Sequence, residues 1–396
     1  MTGGHISRLC VERHNFLYRS VDGQGNPITL SGALVLPLSA DGELTHQLDD
    51  ITLSSPWYMD PDEYLRVKGN LVMYRALYNE AVIIPDTQGC GVTYGVYKAP
   101  FVEWPLLARQ TIDCELAALE LMETLNVSLA KGYQTKGMAM SKGAPVMMTV
   151  QKMLENTEPA AVRDLIRMRS NYCATGPYDT YGMFTDLEVW DAQKEKLWAL
   201  LLLINSAYYG HPDVFRDYKL SDFYSDEFNS VKVSDGKGGE YPLADKMSDK
   251  LGVSSRDFTK YGLDAVEKIV NPRFFAEDGG FNESDPLVAA FFQILKDNDA
   301  AKGWSPKCKL LMEHSMNDDV ASYKYSSQSY SNLRMDERGL VNSNVTQHTY
   351  YSWNHSTVSA FAIIRMVLLE NPAEESFIDL LDVESLLESL MEKLFG

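Results

Sequence analysis

The chain has 396 residues, 45% hydrophobic and 23% charged, ordinary globular values with room for one large domain carrying an insertion or for two domains. Its formal charge of −19 disfavours nucleic acid and anionic membrane surfaces, whose phosphates need Lys and Arg, and favours solubility. The most apolar run, 197–207, contains Asn205 and falls short of the ~18 residues a membrane span needs. Five scattered cysteines (Cys10, Cys90, Cys114, Cys173, Cys308) form no CxxC pair, so zinc ribbons and thioredoxin-like chemistry are not suggested and the compartment is not fixed.

In chain order, residues 9–38 read as a β-hairpin around the turn 22–27, rich in Asp, Gly and Asn. Residues 51–56 form a short strand ending at Pro56, followed by a loop through Trp57 and Tyr58. Residues 81–84 are a continuous apolar run, as buried parallel strands are, leading into a Gly-rich loop at 85–91 that is neither a Walker loop nor a dinucleotide fingerprint. A long helix is predicted over 104–126, with Leu107, Cys114, Ala118, Leu121 and Leu125 on one face. A strand over 133–140 and a helix over 144–155 flank Ser141, and 166–172 alternates as a further strand. This is an α/β sheet with an antiparallel start.

From 180 to 303 the rhythm breaks. Helices are expected at 191–209, 257–269 and 286–296, with a tyrosine- and phenylalanine-rich stretch over 208–228 and a flexible turn at 235–239. This block reads as an inserted helical cap, because sheet-like elements resume after it: a strand at 309–313, a helix at 323–334, a strand at 345–353 and a helix at 355–369. The core is then 1–179 with 304–396. Its last stretch, 377–394, repeats apolar residues at helical spacing and packs on the body or on a second subunit. Homo-oligomerisation stays open.

Strand, tight turn with a serine, then helix is the layout of a nucleophile elbow, normally G-x-S-x-G, because small residues let the turn approach neighbouring backbone. Here it is Ala139-Met140-Ser141-Lys142-Gly143. A serine needs a neutral imidazole to activate it, and the imidazole needs a carboxylate to fix its tautomer. The chain offers Ser141, Asp318 and His355 in that order, each just past a predicted strand. In a parallel sheet such ends share one edge, where ligands bind. His314 competes with His355 as the base, and Asp319 competes with its neighbour Asp318. An oxyanion hole needs backbone N–H donors, expected from Lys142, after the nucleophile, and from Trp57 or Tyr58, after the third strand. Tyr208, Tyr209 and His211 in the cap are candidates for touching substrate. No ligand set has metal-site spacing, and no cofactor is expected.

Together these pieces make the sequence resemble the α/β-hydrolases, and within them bacterial members related to secretory lipases. The matching residues are Tyr18-Arg19-Ser20-Val21-Asp22 with Ser31-Gly32, Pro85-Asp86 with Gly89 and Gly91, the elbow, the 173–179 stretch and Asp318. The departures are Ala139 for Gly, Ala144 where a second Gly is common, and Trp57-Tyr58 where His-Gly is common. The resemblance implies an α/β-hydrolase fold with a helical cap and serine-dependent hydrolysis of a small-molecule carboxylic ester. It also implies a periplasmic or secreted protein; the residues at the N-terminus have no apolar signal region, so either a signal has been removed or the protein is cytoplasmic. A serine peptidase on the same fold and a non-catalytic binding protein are the alternatives.

Overall fold

The computed structural model describes residues 11–56, 71–192, 194–234, 238–244, 258–335, 338–369 and 371–373. Cys10, Trp57, Tyr58, the turn at 235–237 and the apolar repeat at 377–394 lie outside them.

Eight strands form the central sheet: β1 (Val11–Val21), β2 (Pro27–Pro37), β3 (Asp50–Leu53), β4 (Glu80–Pro85), β5 (Thr135–Met140), β6 (Met168–Ala174), β7 (Lys309–Ser315) and β8 (Val345–Tyr350). Their spatial order is β1-β2-β4-β3-β5-β6-β7-β8. β2 runs antiparallel to both of its neighbours, and every other pairing is parallel. The β1–β2 hairpin turns where Asp22 Oδ1 accepts the N–H groups of Gln24 and Asn26, each at 2.9 Å, an Asx-type closure.

Six longer helices accompany the sheet: α1 (Trp104–Thr124), α2 (Gly143–Asn156), α3 (Trp198–Gly210), α4 (Pro286–Asp297), α5 (Tyr323–Arg334) and α6 (His355–Leu368). Pro105 sits in the first turn of α1, where a missing N–H costs nothing. Leu107, Ile112, Cys114 and Ala118 of α1 are buried, while Leu121 and Leu125 are partly covered. β4 and β5 are buried along their whole length, as the central strands of a parallel sheet are.

At the N-terminal edge of the sheet lies a buried ion cluster. Glu80 receives Arg75 Nη2 at 2.5 Å and Lys136 Nζ at 2.7 Å, and Lys136 also reaches Asp50 at 3.0 Å. Arg75 and Tyr78 further donate to the carbonyls of Leu369 and Leu368, at the end of α6. On the opposite edge, the Pro85-Asp86 loop is held by Ser31, whose hydroxyl donates to the Asp86 carboxylate. Gly91 stands against that pair with φ +55°, and a Cβ there would collide with both side chains.

Between β6 and β7 the chain is largely helical, and its interior is a network of aromatic rings. Phe184 meets Phe291 edge-on with centroids 4.9 Å apart, and Phe223 meets Phe215 at 5.2 Å. The helix predicted over 191–209 is broken into Leu187–Ala192, a 3-10 turn at Lys194–Lys196, and α3. The helix predicted over 257–269 is absent from 258–269, which holds two 3-10 turns, Thr259–Tyr261 and Val266–Lys268. Gly262 adopts φ +79° between them, a left-handed conformation that ends a helix.

Candidate active site

Ser141 caps the C-terminal end of β5. Its φ is +50°, a left-handed conformation in which a non-glycine residue is strained. Two backbone bonds fix the turn: Ser141 N–H to Ala174 O at 2.8 Å and Ala144 N–H to Ser141 O at 3.0 Å. α2 begins at Gly143, where a Cβ would strike the Ser55 carbonyl oxygen at the exit of β3. That approach explains the small residue two positions after the serine. It also brings the chain leaving β3 beside the elbow. Ala139 and Ala144 are buried at 2% and 0% exposure, so neither offers room for a larger side chain.

His355 is the first residue of α6. The Asn354 side chain caps that helix through the Thr357 N–H at 2.9 Å. The His355 N–H donates to Asp319 Oδ1 at 3.1 Å. Its ring Nδ1 lies 2.9 and 3.1 Å from the two oxygens of Asp318, and Nε2 lies 3.0 Å from Ser141 Oγ. With Nδ1–H donating to the carboxylate, Nε2 is bare and accepts the serine hydroxyl.

Asp318 sits in the turn after β7 and is 5% exposed. Burial alone would raise its pKa, but hydrogen bonds from His314 and His355 outweigh burial and hold it well below the usual carboxylate range. Oδ1 also accepts the Val320 and Ala321 N–H groups at 2.9 and 2.8 Å. His314 is fully buried, with Nε2 2.7 Å from the Ala321 carbonyl and 3.2 Å from Asp318 Oδ2. It is a second partner of the carboxylate, and the ring in hydrogen-bond contact with the serine is that of His355. Of the two adjacent aspartates, Asp318 meets the imidazole. Asp319 instead pairs with Lys196 at 3.2 Å and with the His355 N–H.

Ser141, Lys142 and His355 open into a cavity of about 750 Å³. Its walls are mostly apolar, formed by Phe101, Val102 and Trp104 from the loop into α1 and by Met183, Trp198, Leu202 and Leu203 from the helical segment. The three expected cap contacts lie elsewhere. Tyr208 is stacked on Phe215 at 6.2 Å and edge-on to Phe223 at 5.7 Å inside the aromatic network. Tyr209 meets Tyr208 edge-on and lies under the Lys98 ammonium. His211 Nε2 is 2.8 Å from Glu103 Oε2. None of them lines the cavity. Trp198, Ala199, Leu202 and Leu203 of the apolar run 197–207 line it instead, a run whose composition speaks equally for a buried helix.

The Lys142 backbone N–H, positioned at the elbow, meets no acceptor among the described residues. Trp57 and Tyr58, the other expected donors, lie outside the described residues.

The course of the backbone is similar to that of several solved structures over most of the chain. The fold is that of the α/β-hydrolases. A rice cell wall degrading esterase, LipA from Xanthomonas oryzae, is 20% identical, with a TM-score of 0.65 over 92% of this chain and 89% of that one. Candida antarctica lipase A is 11% identical, with a TM-score of 0.64 over 98% of this chain and 89% of that one. No family model matches the sequence, and a search of curated proteins found no match. Ser141 stands in the turn after the fifth strand of the sheet, and Asp318 and His355 follow the seventh and eighth.

Proposed function

We propose that this α/β-hydrolase is a serine carboxylic-ester hydrolase working through an acyl-enzyme, with Ser141, His355 and Asp318 as its triad. The observation that carries the reading is the unbroken chain of hydrogen bonds from Ser141 Oγ through both nitrogens of His355 to Asp318, each 2.9–3.1 Å long. Ser141 Oγ attacks the acyl carbon while His355 Nε2 takes its proton. Asp318 stabilises the imidazolium without itself taking a proton. The Lys142 N–H donates to the oxyanion, together with a donor from the loop after β3. His355 then protonates the leaving alcohol, water attacks the acyl-enzyme by the reverse route, and the acid is released.

The helical segment between β6 and β7 serves as the cap over this site, and its apolar wall receives the hydrocarbon part of the substrate. The similar folds named as an esterase and a lipase support ester cleavage over amide cleavage.

A tagged fluorophosphonate should attach to Ser141, as read by peptide mass, and H355A should abolish the labelling. Short 4-nitrophenyl esters should turn over, and matched dipeptide amides should not. Folded wild-type protein that resists the label and all acyl substrates overturns the reading.

A further inference from the structure

Lys142 follows the nucleophile, and acyl transfer asks only for its backbone N–H. The side chain nevertheless lines the cavity, and its ammonium has neither a hydrogen bond nor an ion pair among the described residues. Its recorded neighbour is the ring of Phe101, another wall residue, with Nζ 5.0 Å from the centroid. Burial pushes the ammonium below the ordinary lysine pKa, with the nearby Cys90 thiol opposing the shift.

The rest of the cavity wall formed by described residues does not neutralise this charge. Among the described residues, the other charged side chains on its wall are Lys196 and Asp319. Asp319 is engaged by Lys196 and by the His355 N–H. Among the described residues one ammonium is left without a counter-charge in an apolar space, in a chain whose formal charge is −19. An ammonium held among apolar groups costs free energy unless it is paired. Methionine or glutamine would fill the same volume without that cost. A carboxylate placed beside it would offset the cost and add a charge-assisted hydrogen bond.

On the ester-hydrolase reading above, we propose that Lys142 is a specificity residue whose ammonium selects esters carrying an anionic group, a carboxylate above all. The chemical step is unchanged. The anion binds Nζ while the ester carbonyl lies against Ser141 Oγ and the Lys142 N–H. The apolar remainder of the cavity takes the carbon chain that joins them.

The test compares 4-nitrophenyl esters of dicarboxylic acids, with the far carboxylate free, against neutral esters of the same chain length. A second pair compares carboxyphenyl with phenyl esters, placing the anion on the leaving group. In at least one pair, wild type should prefer the anionic ester in kcat/KM by about tenfold or more, the size of one charge-assisted contact. K142M and K142Q should lose that ratio, and K142R should retain most of it. Neutral esters that turn over as well as or better than their anionic partners overturn this inference and leave the ester-hydrolase reading intact. A preference that persists in both K142M and K142Q also overturns it. Failure of every ester in folded wild-type protein overturns both.

Discussion

His314 and His355 share one oxygen of the Asp318 carboxylate: Nε2 of the first is 3.2 Å and Nδ1 of the second 2.9 Å from Oδ2. His314 has no reach to the serine, so it acts as a positioning residue by holding the carboxylate in the plane that His355 needs. H314Q should lower kcat by roughly tenfold, the worth of one hydrogen bond to a charged group, with little change in KM. It should also raise the apparent pKa of the acid limb of stability, read by melting at successive pH values. A variant that merely loosened the fold would change melting at all pH values and leave kcat per folded molecule intact.

The neighbouring aspartates should separate cleanly. D318N should drop kcat by about 10⁴, as loss of the triad carboxylate does in other enzymes, while D319N should lose far less. Asp318 is depressed in the folded state. Its contribution to stability is therefore present above the unfolded carboxylate pKa of about 3.9 and is lost as pH falls further. Acid melts should show D318N without that part of the slope. Equal losses of kcat in the two variants would contradict the assignment.

Backbone strain at Ser141 gives a stability prediction. At φ +50° a residue with a Cβ costs about 1–2 kcal/mol relative to a relaxed one. S141G should raise the melting temperature while abolishing turnover. S141A is just as inactive but keeps the Cβ, and should gain nothing. A melting temperature for S141G at or below that of S141A would show that the turn is not strained.

Away from the site, Glu115 of α1 is fully buried and its pKa is pushed up to about 7 by burial, against a hydrogen bond from Thr135 at 2.6 Å. Its other oxygen, Oε2, has no hydrogen-bond partner among the described residues. Because the folded value lies above the unfolded one of about 4.3, its stabilising contribution is complete below that value and is lost as pH rises through about 7. E115Q should flatten the stability curve between those limits, as measured by denaturant unfolding from pH 4 to 8. An unchanged slope would place the titration elsewhere.

How much of this was legible in the sequence follows from what local pattern encodes. β4 and α1 were readable because a continuous apolar run and helical spacing are local signals. Ser141, Asp318 and His355 were readable because each directly follows a strand, and parallel strands bring their ends to one edge. The cavity wall was not. Tyr208 and Tyr209 look like contact residues, but rings in an aromatic-rich segment can satisfy one another, and they do. The second role at Asp318 was half visible. His314 stood out by its spacing of four residues, but only the folded turn shows that its ring engages Asp318 and Ala321 while His355 meets the serine. At 257–269 the composition suits a helix, but Gly262 at φ +79° breaks it into two 3-10 turns.

α6 carries His355 on its first turn, and its far end is tied down by Arg75 and Tyr78 through the carbonyls of Leu369 and Leu368. Fourteen residues make a rod about 21 Å long at 1.5 Å per residue. A tilt of about 3° at the moored end therefore carries the imidazole by roughly 1 Å, a misplacement that can cost about 10² in rate. The proton shuttle is in this sense anchored from the opposite edge of the sheet, and lesions at Arg75 should read out as slow chemistry a whole helix away.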